Sequence, residues 1–292
     1  MKQKQIGLLL AISIIAISFS AIFVKWSDAP PTAMSMYRMY FASVLLLPMV
    51  WKRRSELQRL QSKAWTVLVC SGVCLALHFA LWFASLQYTT VASSTIILAL
   101  QPIVALVGGF LFYKERVEAR VVLIILIAIF GVALVGWGDF GHEDQMAFLG
   151  DVLSFLSVIA VVGYLLIGQN QVKRMSHWLY SFLVFFIAGV ALMMYNLVMA
   201  VPMVGYEMRE WGIFVLLAIF PTIAHVIFNF LLSYINTTAI SMSVLGEPVG
   251  ASILAVILLG EQLDMLQIVG GVLVLIGVSW FLLGGKRETP RE

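Results

Sequence analysis

Apolar residues run along this chain in long continuous blocks, separated by short polar clusters. Blocks near the ~20 residues that cross a bilayer as helix fall at 6–24, 32–51, 65–86, 90–112, 120–137, 149–169, 178–200, 211–233, 238–259 and 266–284. None shows the ten-residue apolar/polar alternation of a membrane β-barrel strand. The pattern predicts an all-α integral membrane protein with ten transmembrane helices. Lys2 and Lys4 before the first block resemble the start of a signal peptide, but that block is long and no convincing small-x-small cleavage pattern follows, so it is read as the first span.

Two of the blocks are related. Ala99–Glu115 reads ALQPIVALVGGFLFYKE, and Leu245–Glu261 reads LGEPVGASILAVILLGE, 146 positions later. The same offset aligns Tyr88 with Tyr234 and Gly131 with Gly277, so the likeness extends beyond one dipeptide. The chain therefore divides into a first five-helix repeat at 1–140, a second at 146–285 and a tail at 286–292, the boundary falling in the polar loop 138–148. An odd number of spans per repeat inserts the second half upside down. Inverted-topology repeats place a solute site near the bilayer midplane.

Composition agrees with the membrane assignment: 62% hydrophobic and 11% charged, against ~45–50% and ~25% in soluble domains. The net charge of +3 acquires meaning when divided among loops. All Lys and Arg except Lys25, Arg38 and Arg209 fall at the N-terminus, at the C-terminus or in alternate loops, whereas 138–148 carries Asp139, Glu143 and Asp144 and no cation. The positive-inside rule then puts both termini in the cytoplasm, with the chain in a bacterial plasma membrane. Topology accounts for the basic residues, so no nucleic-acid partner is implied. Cys70 and Cys74 lie four apart within one span and read as packing residues, not as a disulfide or zinc pair. Trp51, Trp65, Trp137, Trp178 and Trp280 cluster at span ends, as an interfacial belt does.

Polar residues inside the spans are the candidate chemistry. Glu247-Pro248 and Gln101-Pro102 place an acid or amide beside a helix break, since each proline removes a backbone donor and frees a carbonyl where only protein or a wet cavity satisfies it. Gly246 and Gly250 flank the acid and allow close approach of a neighbouring helix. Burial disfavours the charged form of Glu247, which suits a group that takes up and releases a proton during transport; direct binding of an amino group, or a structural role paired with Arg38, are the other readings. Arg38, mid-span, faces a cavity, a carboxylate or a substrate anion, or else snorkels to the outer interface. His78 and Trp82 stripe one helix face; His225 and Asn229 lie on the equivalent helix, with Tyr234 at its end. Tyr164 is deep enough to reach a cavity. Glu115 and Glu261, at helix ends, read as capping or hinge groups. No third ligand accompanies the histidines, so no metal site and no cofactor are expected.

The stretches FVKWSDAPPTAMSMYRMYFASVLLLP (Phe23–Pro48) and GEQLDMLQIVGGVLVLIGV (Gly260–Val278) resemble the repeats of the EamA family within the drug/metabolite transporter superfamily. The resemblance covers nearly the whole chain. It implies a ten-helix inverted-repeat transporter with a central cavity formed by both halves, often an exporter of amino acids, metabolites or toxic compounds. The expectation is a secondary active transporter of a small amino acid or amphipathic solute, working by alternating access, with Glu247 in proton coupling. The alternatives are an uncoupled facilitator or exchanger of the same fold and, further off, an intramembrane enzyme. No His-Glu-x-x-His run, paired intramembrane acids or Walker-type loop is present, so neither catalysis nor a primary pump is expected. The oligomeric state, monomer or homodimer, stays open.

Overall fold

The computed structural model describes residues 3–114, 119–137, 145–260 and 265–284. Glu115, Glu261, the acidic loop residues Asp139, Glu143 and Asp144, and the 286–292 tail lie outside the described residues. The helices in chain order are α1 (Gln3–Trp26), α2 (Pro31–Trp51), α3 (Arg54–Gln58), α4 (Ser62–Tyr88), α5 (Val91–Leu98), α6 (Gln101–Tyr113), α7 (Ala119–Trp137), α8 (Gln145–Gln171), α9 (His177–Val198), α10 (Met208–Leu231), α11 (Thr237–Val244), α12 (Glu247–Leu259) and α13 (Met265–Gly284). No strand occurs among the described residues. Seven of their segments are long and apolar enough to cross a membrane by themselves: α1, α2, α4, most of α8, α9, α10, and α11 with α12 taken together.

The expected runs 90–112 and 238–259 are not single helices. Each is two pieces, broken at Ala99–Leu100 and at Leu245–Gly246, with the proline in the first turn of the second piece. There its missing N–H is one of the donors a helix start leaves open anyway, and its fixed φ suits the position. The breaks recur at one spacing: α5 and α11 begin at 91 and 237, α6 and α12 at 101 and 247. Both second pieces end on a left-handed residue, Lys114 at φ 55° and Gly260 at φ 71°. Asn236 caps α11, its Oδ1 accepting from the Ala239 N–H at 2.9 Å.

Packing pairs the halves reciprocally. α4 lies on α8 and α10 on α1; α4 on α9 and α10 on α2; α1 on α12 and α8 on α6; α5 on α12 and α11 on α6. α2 packs against its counterpart α9, and α7 against its counterpart α13. Exchanging the halves maps most of these neighbours onto one another, though α8 with α11, α12 with α13 and α4 with α5 have no equally extensive counterpart. α7 and α13 turn Leu123, Leu126, Phe130, Val269, Val272 and Ile276 outward, where acyl chains solvate them.

Close approaches rely on small residues. A Cβ on Gly72 of α4 would stand 2.5 Å from Ile187 Cγ2 and 2.8 Å from its Cβ on α9; one on Gly250 of α12 would stand 2.2 Å from Ser18 Oγ on α1. Ser18 can rotate away, but the β-branched Ile187 cannot without moving α9. Gly72→Val is accordingly expected to cost about 1–3 kcal/mol by overpacking, read as a lower midpoint in thermal unfolding of detergent-solubilised protein. Gly250→Ala should cost less.

Candidate functional site

Both helix breaks open onto one internal cavity. Leu98 and Gln101 bring the break between α5 and α6 to its wall, and Val244 and Glu247 bring the break between α11 and α12. Ile17 of α1, His78, Phe79 and Trp82 of α4, Val161 and Leu165 of α8, and His225 and Phe228 of α10 complete the lining. The space is about 20 Å³, enough for a single water. The helix starts at Gln101 and Glu247 both contribute a side chain to this lining.

Glu247 is 2% exposed and makes no ion pair within 4.0 Å among the described residues. Arg38 on α2 is 1% exposed, with its guanidinium carbon 3.3 Å above the Phe79 ring centroid and 6.0 Å from that of Phe83. Its Nε and Nη1 have no hydrogen-bond partner among the described residues. The guanidinium is thus held at depth by aromatic faces instead of snorkelling to an interface. His78 lies parallel to Trp82, centroids 6.0 Å apart, with Nδ1 3.1 Å from the Ser157 carbonyl. His225 sits among Phe79, Tyr164, Phe185 and Phe228, and among the described residues neither ring nitrogen has a partner; nor does Trp82 Nε1.

Tyr164 and Asn229 behave differently. The Tyr164 hydroxyl donates to Asn229 Oδ1 at 2.6 Å, and Asn229 Nδ2 donates to Ser181 Oγ at 2.9 Å. Tyr180 continues the network, its hydroxyl donating to the Tyr164 carbonyl at 3.3 Å and lying 2.6 Å from Ser71 Oγ. This network ties α4, α8, α9 and α10 together, and its members satisfy one another. Asn229→Leu should strand the Tyr164 hydroxyl and cost about 1–2 kcal/mol, measured as a lower unfolding midpoint. Tyr234 is half exposed, edge-on to Phe230 at 5.2 Å, away from the cavity. The structure thus brings Gln101, His78, Trp82, His225 and Glu247 to one space, stations Arg38 behind Phe79, ties Tyr164 and Asn229 into packing, and leaves Tyr234 apart.

Two sets of contacts join the ends of the helices that line the cavity. On one side the turn after α1 meets the start of α10: the Ser27 hydroxyl bonds to the Glu210 carboxylate, Arg209 Nη1 lies 3.2 Å from Asp28 Oδ2, and Arg209 Nη2 donates to the Trp26 carbonyl at 2.5 Å. Tyr37, stacked on Phe214 with centroids 5.1 Å apart, bonds to the Met203 carbonyl on the same side. On the other side Gln169 Oε1 accepts from Thr237 N and Oγ1, both at 2.7 Å, and the Tyr113 hydroxyl donates to the Leu166 carbonyl at 2.5 Å. Sequence reading passed over Ser27, Phe79 and Glu210. Glu210 stands in a polar turn where any acid would read as solvated, and nothing local marks its burial at 6% exposure.

A polytopic helical protein whose two broken helices meet at a small, mostly apolar cavity carrying a few buried polar groups is consistent with a membrane transporter. The chain belongs to the EamA-like transporter family, whose pattern it matches twice, over residues 5–137 and 148–283. It is similar to an uncharacterised transporter of Archaeoglobus fulgidus, 25% identical over 93% of this chain and 95% of that one. It is also similar to the pseudopaline exporter CntI of Pseudomonas aeruginosa, 22% identical over 92% and 93%. A crystal structure sharing 16% identity superposes with a TM-score of 0.78 over 95% of this chain and 96% of that one, a likeness of fold. The protein is therefore a multi-pass membrane transporter.

Proposed function

We propose that the protein is a secondary active transporter that moves a small amphipathic metabolite, with an amino acid as the type case, by alternating access, and that Glu247 couples the movement to protons. The observation that carries this reading is the meeting of the two helix breaks on one small cavity. A space of about 20 Å³ admits no metabolite, so the arrangement is an occluded one and one of the two sets of contacts must part to admit solute.

The reciprocal packing supports repeats at 1–140 and 146–285, followed by the 286–292 tail. Tethers between loops support the inverted sense. The turn after α1 joins the start of α10, while Glu56 after α2 accepts from the Ser176 N–H before α9 at 3.0 Å and the end of α8 joins the start of α11. α1 therefore ends at the layer opposite the one where its counterpart α8 ends. With α5–α6, α7, α11–α12 and α13 each crossing once, ten crossings follow, with both termini on the cytoplasmic side of a bacterial plasma membrane. Similarity to an exporter favours the outward direction. A monomer carries the whole cavity, and a homodimer would need no part of it.

Purified protein in proteoliposomes with an imposed pH gradient, screened against a solute library while flux and internal pH are read together, tests this reading. Solute flux that moves protons in fixed proportion is expected. Flux indifferent to the gradient makes the protein an uncoupled facilitator or exchanger, and absence of flux for every solute overturns the transport assignment.

A further inference from the structure

Arg38 presents an unresolved charge. It is essentially fully buried, two of its nitrogens have no protein partner, and no carboxylate lies within 4.0 Å of it among the described residues. Its nearest compensation among the described residues is the face of Phe79, with Phe83 and the Glu247 carboxylate acting from further off, and one cation–π contact offsets only part of what burying a guanidinium costs. The same Phe79 ring is part of the cavity wall, next to His78, Trp82 and His225, whereas Arg38 itself is not in that wall. One aromatic ring therefore borders both the unpaired cation and the empty space.

Donors in excess of acceptors surround that space. Trp82 Nε1 and the His225 ring lack partners among the described residues, and the guanidinium fork behind Phe79 matches a carboxylate two-pronged. Glu247 is the sole acid in the wall among those residues. Resting on the transport reading above, we propose that Phe79 is a shutter between Arg38 and the cavity, and that the solute that displaces it is an amino carboxylate, its carboxylate taken by Arg38 and its ammonium group by Glu247. The shutter shields the cation while the cavity is empty and yields it when a matching anion arrives, so neutral and purely cationic solutes gain nothing from opening it.

The test is phenylglyoxal labelling of the full-length protein, with adduct at Arg38 read by peptide mass spectrometry against the half-exposed Arg209 as internal reference. Phe79→Ala should raise Arg38 labelling about tenfold or more, as loss of a desolvated cation–π contact implies; Phe79→Leu, which keeps bulk without a π face, serves if the alanine variant does not fold. A mixture of the twenty proteinogenic amino acids should suppress that labelling, and the corresponding mixture of amino acid amides should not. Equal labelling of Arg38 in wild type and variants overturns the shutter. Equal protection by acids and amides, or protection by neither, overturns the carboxylate assignment. The transport reading fails separately, by absence of flux for every solute in wild-type proteoliposomes.

Discussion

Glu247→Gln is expected to abolish accumulation of solute against its gradient while leaving counterflow exchange within about tenfold of wild type, because the amide keeps the shape and hydrogen-bonding reach of the acid but cannot carry a proton. Glu247 is the only cavity-lining acid among the described residues, and Gln101 at the equivalent break shows that an amide is compatible with that helix start. The measurement is paired: uptake under a proton gradient, and exchange of labelled for unlabelled solute without one. Loss of both in a correctly folded variant would make Glu247 a binding group; persistence of concentrative transport would remove it from coupling altogether.

Arg38→Met should have the second large effect, with opposite signs on two readouts. Solute flux should fall about 30-fold or more, the usual consequence of removing one member of a buried charged pair formed with a ligand. The unfolding midpoint should hold or rise, because methionine fills similar volume against Phe79 and Phe83 without burying a charge that has no carboxylate within 4.0 Å among the described residues. A structural arginine predicts the reverse: a clear loss of stability with flux falling only in proportion to folded protein. A stability gain accompanied by loss of function is the mark of a strained group kept for its substrate.

Much of the fold was legible in the sequence because membrane helices obey few rules. Apolar run length set the elements, and the structure keeps the expected order of helices. The repeat at 146 residues was visible in Gln101-Pro102 and Glu247-Pro248, and the structure puts the breaks a few residues ahead of those prolines, where a proline is least disruptive. Gly250 was expected to admit a neighbouring helix, and α1 occupies that space through Ser18. Side-chain partnering was less legible. Asn229 has the residue type and depth of a ligand group, yet Tyr164 and Ser181 use its amide; both partners lie on other helices, at sequence separations no pattern reveals. Tyr234 shares a repeat position with Tyr88, and both are well exposed, so their correspondence reflects a common interfacial setting more than a site. Phe79 gave no signal at all, since one phenylalanine among many in an apolar helix is indistinguishable until Arg38 is seen lying on it.

The measurement that bears most directly on alternating access is a reversible lock on the contacts at one end of the cavity-lining helices. Ser27 and Glu210 touch across the layer that joins the turn after α1 to α10, and the native thiols, Cys70 and Cys74, can be replaced by alanine. In that background a Ser27→Cys/Glu210→Cys pair, oxidised in proteoliposomes, should stop flux of the solute identified by screening, and a reductant should restore it. Undiminished flux with the disulfide closed would contradict a mechanism in which this layer must open once in every cycle.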